Sequence, residues 1–212
     1  MNRNTLCGSV VFGAVAALVG VATGAPLPPG SMVFPVPSVP QAVGGPGFAI
    51  LAQGSTPVTA ATFSGTLYWV VLQGVSNSPL PGLTFGYRVE NNAVSSNGIG
   101  RLTINGFGAT SQLDVGYYNG VSGTVAPSFA DRDSTPNGVV GFQFASFLLG
   151  EIAPGTSSEE LIIFTDATSW VVGEAALIDG SIGTVAVPAL IPAPGVAGLV
   201  GAGLMLAGRR RR

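Results

Sequence analysis

Leu83-Thr84-Phe85-Gly86-Tyr87-Arg88-Val89-Glu90 sets a bulky apolar side chain at every second position, with Thr84, Gly86, Arg88 and Glu90 between them. A period of two sends successive side chains to opposite faces of an extended chain, so this octapeptide reads as a strand with one face in a core and one in water. Upstream, Phe63, Gly65, Leu67, Trp69 and Val71 share one side while Thr66, Tyr68, Val70 and Leu72 share the other. Apolar residues on both sides predict a strand in the middle of a sheet, covered twice. Further strands are expected over 48–52, 101–107, 112–118, 139–147, 160–165 and 175–187, where β-branched and aromatic residues alternate between Gly, Asn, Ser and Pro clusters.

Turn chemistry separates these segments. Asn97-Gly98, Asn105-Gly106, Asn119-Gly120, Asn137-Gly138 and Asp179-Gly180 offer the positive φ angles that tight hairpins need. No window of helical period exists outside the two chain ends. The expected fold is therefore all-β, an antiparallel β-sandwich of jelly-roll or immunoglobulin-like type. The stretch 25–47 is dense in proline (Pro26, Pro28, Pro29, Pro35, Pro37, Pro40, Pro46) and carries no charge. It reads as a linker or an arm laid along a sheet edge, because proline cannot donate to a ladder. The domain proper is expected over 48–187.

Both ends are apolar. Arg3 precedes an uncharged run over 10–21 and the small residues Ala22, Thr23 and Gly24, the pattern of a signal peptide over 1–24 cut by signal peptidase. Cys7, the single cysteine, lies within that leader, so the mature chain is expected to contain no disulfide and no thiolate metal ligand. At the other end Pro192-Ala193-Pro194 precedes an uncharged Gly/Ala/Leu/Val run over 195–208 and the terminal Arg209, Arg210, Arg211 and Arg212. As a helix the run would rise about 21 Å, short of a ~30 Å hydrocarbon core, and the four guanidinium groups would stay on the cytoplasmic face. This predicts a short C-terminal transmembrane helix within 188–212.

The order of proline motif, apolar span and basic tail resembles the PEP-CTERM sorting signal of bacterial envelope proteins, with Ala193 where the family has glutamate. The resemblance implies recognition by an exosortase-type membrane protease, a precursor anchored in the inner membrane, and delivery to the cell surface or the extracellular matrix. It further implies a structural or adhesive part in exopolysaccharide and biofilm. Tyr87-Arg88-Val89-Glu90-Asn91, Asp114-Val115-Gly116-Tyr117, Ala130-Asp131-Arg132, Val140-Gly141-Phe142 and Ile178-Asp179-Gly180 are similar to a domain that recurs in such proteins, with boundaries near 45 and 187.

The 212-residue chain has a formal charge of −2, which conceals an uneven distribution. Without the two ends, Arg88, Arg101 and Arg132 face ten acids, a balance of −7, and such a surface repels nucleic-acid phosphates. Histidine and lysine are both absent, which removes Ser-His-Asp and Cys-His triads, imidazole bases, His-ligated zinc and Schiff-base chemistry. No cofactor is expected and the domain reads as non-enzymatic. Only carboxylates remain for acid–base work, and Glu90, Asp114, Glu151, Glu160 and Glu174 are the candidates for a glycosidase pair.

Two binding readings stand beside the structural one. Trp170, Tyr117 and Tyr118 are candidate aromatic contacts of a carbohydrate-binding module, while Trp69 reads as core. Asp131, Asp133 and Asn137 offer hard oxygen ligands at the close spacing of a weak calcium loop. The usual glycine and distal glutamate are missing there and Arg132 sits between the acids, so Asx-turns in a hairpin connection are the ordinary explanation.

Overall fold

The computed structural model describes residues 24–41, 44–108, 112–120, 124–144 and 150–190. Of the leader expected over 1–24, residues 1–23 lie outside the described residues, as do Pro192, Ala193, Pro194 and Arg209 to Arg212 of the expected C-terminal helix. Those described are all-β, with no helix among them. In chain order the strands are β1 (Ala25–Pro26), β2 (Met32–Val33), β3 (Ser38–Val39), β4 (Gly44–Thr59), β5 (Ser64–Val75), β6 (Thr84–Asn91), β7 (Arg101–Asn105) and β8 (Leu113–Tyr118). They continue with β9 (Thr124–Val125), β10 (Phe129–Arg132), β11 (Val139–Gln143), β12 (Ser157–Ser158), β13 (Glu160–Thr165), β14 (Trp170–Asp179) and β15 (Ser181–Leu190).

Two sheets form a sandwich-like fold. The first runs β4-β5-β6-β13-β8, with β12 also paired to β6, β9 paired to β12, and β1 and β3 along β8. The second runs β15-β14-β7-β11-β10-β2. Pairing is antiparallel except for two short contacts, β3 with β8 and β9 with β12. After β6 the chain changes sheet repeatedly, so that β6, β13 and β8 alternate in sequence with β14, β7 and β11.

Between the sheets lies one core, and the period-two reading locates it. Leu83, Phe85, Tyr87 and Val89 are all buried there, as are Leu67 and Val71 of β5, Leu102 and Ile104 of β7, Val140 and Phe142 of β11, and Ala175 and Leu177 of β14. Phe85 meets Phe107 edge to face at 5.3 Å between centroids. Fully burying an aromatic or branched side chain stabilises by about 1.5–3 kcal/mol, so these rows carry most of the folding free energy.

The arm over 24–41 laces the open side of the sandwich. β1 pairs with β8, β2 crosses to pair with β10 of the other sheet, and β3 returns to β8. Arg132 fastens this crossing: its side chain is buried and donates to the carbonyls of Leu27 (3.3 Å), Phe107 (2.9 Å) and Gly108. On the opposite side, the Thr62 hydroxyl is 2.6 Å from Ser181 Oγ and 3.1 Å from the carbonyl of Asp179, joining the β4–β5 connection to the β14–β15 turn.

Several expectations change in detail. Residues 160–165 coincide with β13. The segment read as one strand over 175–187 is a hairpin, because Gly180 takes φ +61 and folds β15 back on β14 from Asp179↔Ser181 to Trp170↔Leu190. Gly106 and Gly138 also have positive φ, whereas Gly98 and Gly120 do not. Gly98 is needed for a close approach instead, since a Cβ there would lie 2.4 Å from a Glu151 carboxylate oxygen.

Candidate functional site

Because strand register is fixed by the core-facing rows, it also fixes which polar side chains meet on the outer face of the first sheet. Ser55 of β4 pairs with Tyr68 of β5, Tyr68 with Arg88 of β6, and Glu160 of β13 with Tyr118 of β8. The β6–β13 register, from Leu161↔Tyr87 to Phe164↔Thr84, brings Arg88 beside Glu160. A transverse row therefore crosses five strands: Ser55, Tyr68, Arg88, Glu160, Tyr118. The next row is Val70, Gly86, Ile162 and Gly116, in which two positions lack a side chain. That absence makes the depression. A Cβ on Gly86 would lie 2.8 Å from both Glu160 Oε1 and Val70 Cγ1, so those two side chains fold over the bare backbone.

The result is a trough of about 480 Å³ lined by Gln53, Ser55, Tyr68, Val70, Gly86, Arg88 and Glu160. A second hollow of about 230 Å³ adjoins it, bounded by Gln41, Tyr118, Asn119, Ser158 and Glu159 and sharing Arg88 and Glu160 with the first. The Arg88 guanidinium carbon stacks 4.6 Å from the centroid of the Tyr68 ring, and the Tyr68 hydroxyl donates to Glu90 Oε2 at 3.0 Å. That hydrogen bond to the carboxylate, followed by burial, raises the Tyr68 pKa.

Arg88 and Glu160 are neighbours of opposite charge, yet no hydrogen bond or salt bridge joins them; among the described residues the ion pair is Arg101–Asp131. Burial pushes the Glu160 carboxyl above its ordinary range, an effect the nearby Arg88 only partly offsets. In the smaller hollow Tyr118 and Glu159 are buried, and the Tyr118 hydroxyl and Glu159 Oε2 have no hydrogen-bond partner. Burial, with the charge of Glu160, raises the Tyr118 pKa well above the usual tyrosine value.

The calcium candidates are otherwise engaged. Asp131 binds Arg101 through both carboxylate oxygens, at 2.7 and 2.9 Å. Asp133 Oδ1 accepts from the Val139 amide at 2.9 Å and the Thr135 amide at 3.3 Å, which is an Asx-type brace for the β10–β11 turn. Asn137 lines a different shallow pocket, with Asn105, Val172 and Glu174. Arg132, which stands between these acids in sequence, points inward and donates to backbone carbonyls. Among the described residues no group of three or more acidic, histidine or cysteine ligands gathers.

The three aromatic candidates do not converge. Tyr117 turns inward and packs on the core, Tyr118 turns outward against Val39, Ile162 and Phe164, and Trp170 begins β14 opposite Leu190, half-buried against the core. Trp69 also packs on the core. Of the five carboxylates, Glu90 and Glu160 share the trough face. Asp114 lies farther along β8, its pKa raised by burial, Glu151 lies beside Gly98, and Glu174 lies on the other sheet. Arg88 and Tyr68 are absent from the expected contacts; Arg88 was signalled by the polar side of the 83–90 alternation and Tyr68 by the second side of the strand over 63–72. No family model, curated protein or solved structure matches this chain.

Proposed function

We propose that this chain is an exported envelope or matrix protein whose β domain is a non-catalytic, adhesive glycan-binding module. The observation that supports the binding role is the trough, where a stacked arginine and a partly desolvated carboxylate lie side by side without pairing. Concave, partly aromatic sites with a few convergent polar groups are the usual form of small-ligand sites. The interleaving of β6, β13 and β8 with β14, β7 and β11 supports the jelly-roll over the immunoglobulin-like reading. The export role rests on the leader over 1–24 and on the resemblance of 188–212 to a PEP-CTERM signal, with signal peptidase and an exosortase-type protease as processing partners.

Two experiments test this reading. Retention of the full chain on immobilised polysaccharides, without release of reducing ends, is expected; hydrolysis would replace the binding role with a Glu90/Glu160 glycosidase. Deleting Arg209, Arg210, Arg211 and Arg212 is expected to leave an unprocessed precursor, and normal maturation of that variant would overturn the sorting role.

A further inference from the structure

Resting on the glycan-binding reading, we infer that the trough selects neutral, hydroxyl-rich sugars over uronates and other anionic glycans. The argument turns on what can bridge Arg88 and Glu160. Arg88 makes no hydrogen bond or salt bridge among the described residues, so its guanidinium offers donors only. Glu160, when ionised, offers acceptors only, and its carboxylate lies over Gly86 instead of turning to Arg88. A group that satisfies both must accept from one and donate to the other. A sugar hydroxyl does both at once; a carboxylate, phosphate or sulfate can serve Arg88 but has nothing to give Glu160.

The surrounding charge points the same way. Glu90 holds its carboxylate on the Tyr68 hydroxyl at one side of Arg88, and Glu159 and Glu160 line the smaller hollow at the other. Three glutamates around one arginine leave a negative site in a domain that is itself acidic, and like charges at close range disfavour a polyanion. The unpartnered Tyr118 hydroxyl and Glu159 Oε2 add a second place where hydroxyl groups would complete unmet hydrogen bonds. Tyr68, already fixed by Arg88 and Glu90, supplies a ring of set orientation beside the larger trough.

The test uses the full chain in a detergent without a sugar headgroup, with affinity electrophoresis and calorimetry against a neutral β-glucan, a galactomannan and a polyuronate. Expected is retardation by a neutral polymer that persists at high salt, together with no retardation by the polyuronate. Glu160→Gln and Arg88→Gln are each expected to weaken neutral binding by about tenfold or more, the scale of losing a hydrogen bond to a charged group. Salt-sensitive binding to the polyuronate that Glu160→Gln strengthens and Arg88→Gln weakens would overturn the inference while leaving glycan binding standing. Neutral binding unchanged in both variants would overturn the placement of the site. No retention on any polymer, with circular dichroism showing the β fold intact, would overturn the glycan-binding reading and this inference with it.

Discussion

The Tyr87 hydroxyl donates to the carbonyl of Pro188 at 2.5 Å, a buried hydrogen bond between strand β6 of one sheet and strand β15 of the other. Burial raises the Tyr87 pKa well above its ordinary value, so the phenol stays a donor throughout the working range. Tyr87→Phe keeps the ring and strands the carbonyl. The expected loss is about 1–3 kcal/mol, the cost of an unsatisfied buried acceptor, read as a lower denaturant midpoint with an unchanged slope.

Arg132 offers a second mechanical test. Arg132→Met retains much of the stem but withdraws the donors from Leu27, Phe107 and Gly108. Destabilisation of about 3 kcal/mol is expected, given about 1–3 kcal/mol for each carbonyl fully stranded and some recovery through water. The arm is the element that loosens, so limited proteolysis should cut within 24–41 before any other segment.

Acidity should strengthen the fold slightly. The Glu160 and Asp114 pKa values are raised by burial, so the native chain holds protons that the unfolded chain has already released. Stability therefore falls as pH rises from the ordinary carboxylate range through the raised values, and it recovers on acidification across the same window. Melting curves of wild type and the double variant Glu160→Gln, Asp114→Asn check this: the double variant should show the shallower slope.

Gly86 is predicted to matter for both the ligand and the fold. The nearest obstacles to an added methyl are the carboxylate end of Glu160 and a methyl of Val70, and the glycine is not at positive φ. Gly86→Ala should lower stability by about 1–3 kcal/mol, because the stiff Val70 side chain must give way along with Glu160. Displacing Glu160 from the floor should lower polysaccharide affinity in the same assays.

What could be read without coordinates divides along a physical line. The row of 83–90 was legible because it is short, strictly alternating and wholly apolar on the core side, and 160–165 because Leu161, Ile162, Ile163 and Phe164 form a short continuous apolar run. The β14–β15 hairpin was harder, since apolar residues continue through the turn and only Gly180 interrupts them. Asp131 and Asp133 were placed on a loop by composition, and only geometry reveals that Arg101 had claimed the first and the turn backbone the second. The trough was not legible. Tyr68, Arg88, Glu160 and Tyr118 come from four strands, and their meeting depends on β13 inserting between β6 and β8, a choice of pairing partners that no local pattern encodes.

Gly24 is buried, and a Cβ at that position would come within 2.9 Å of the Phe164 ring. On the export reading, this is the residue after which the leader is cut. A peptidase needs that bond extended in its own cleft, which the seated arm forbids. On that reading, cleavage precedes the seating of the arm. On the same export reading, the order of events follows from one buried glycine: the arm docks only on a chain already freed of its leader.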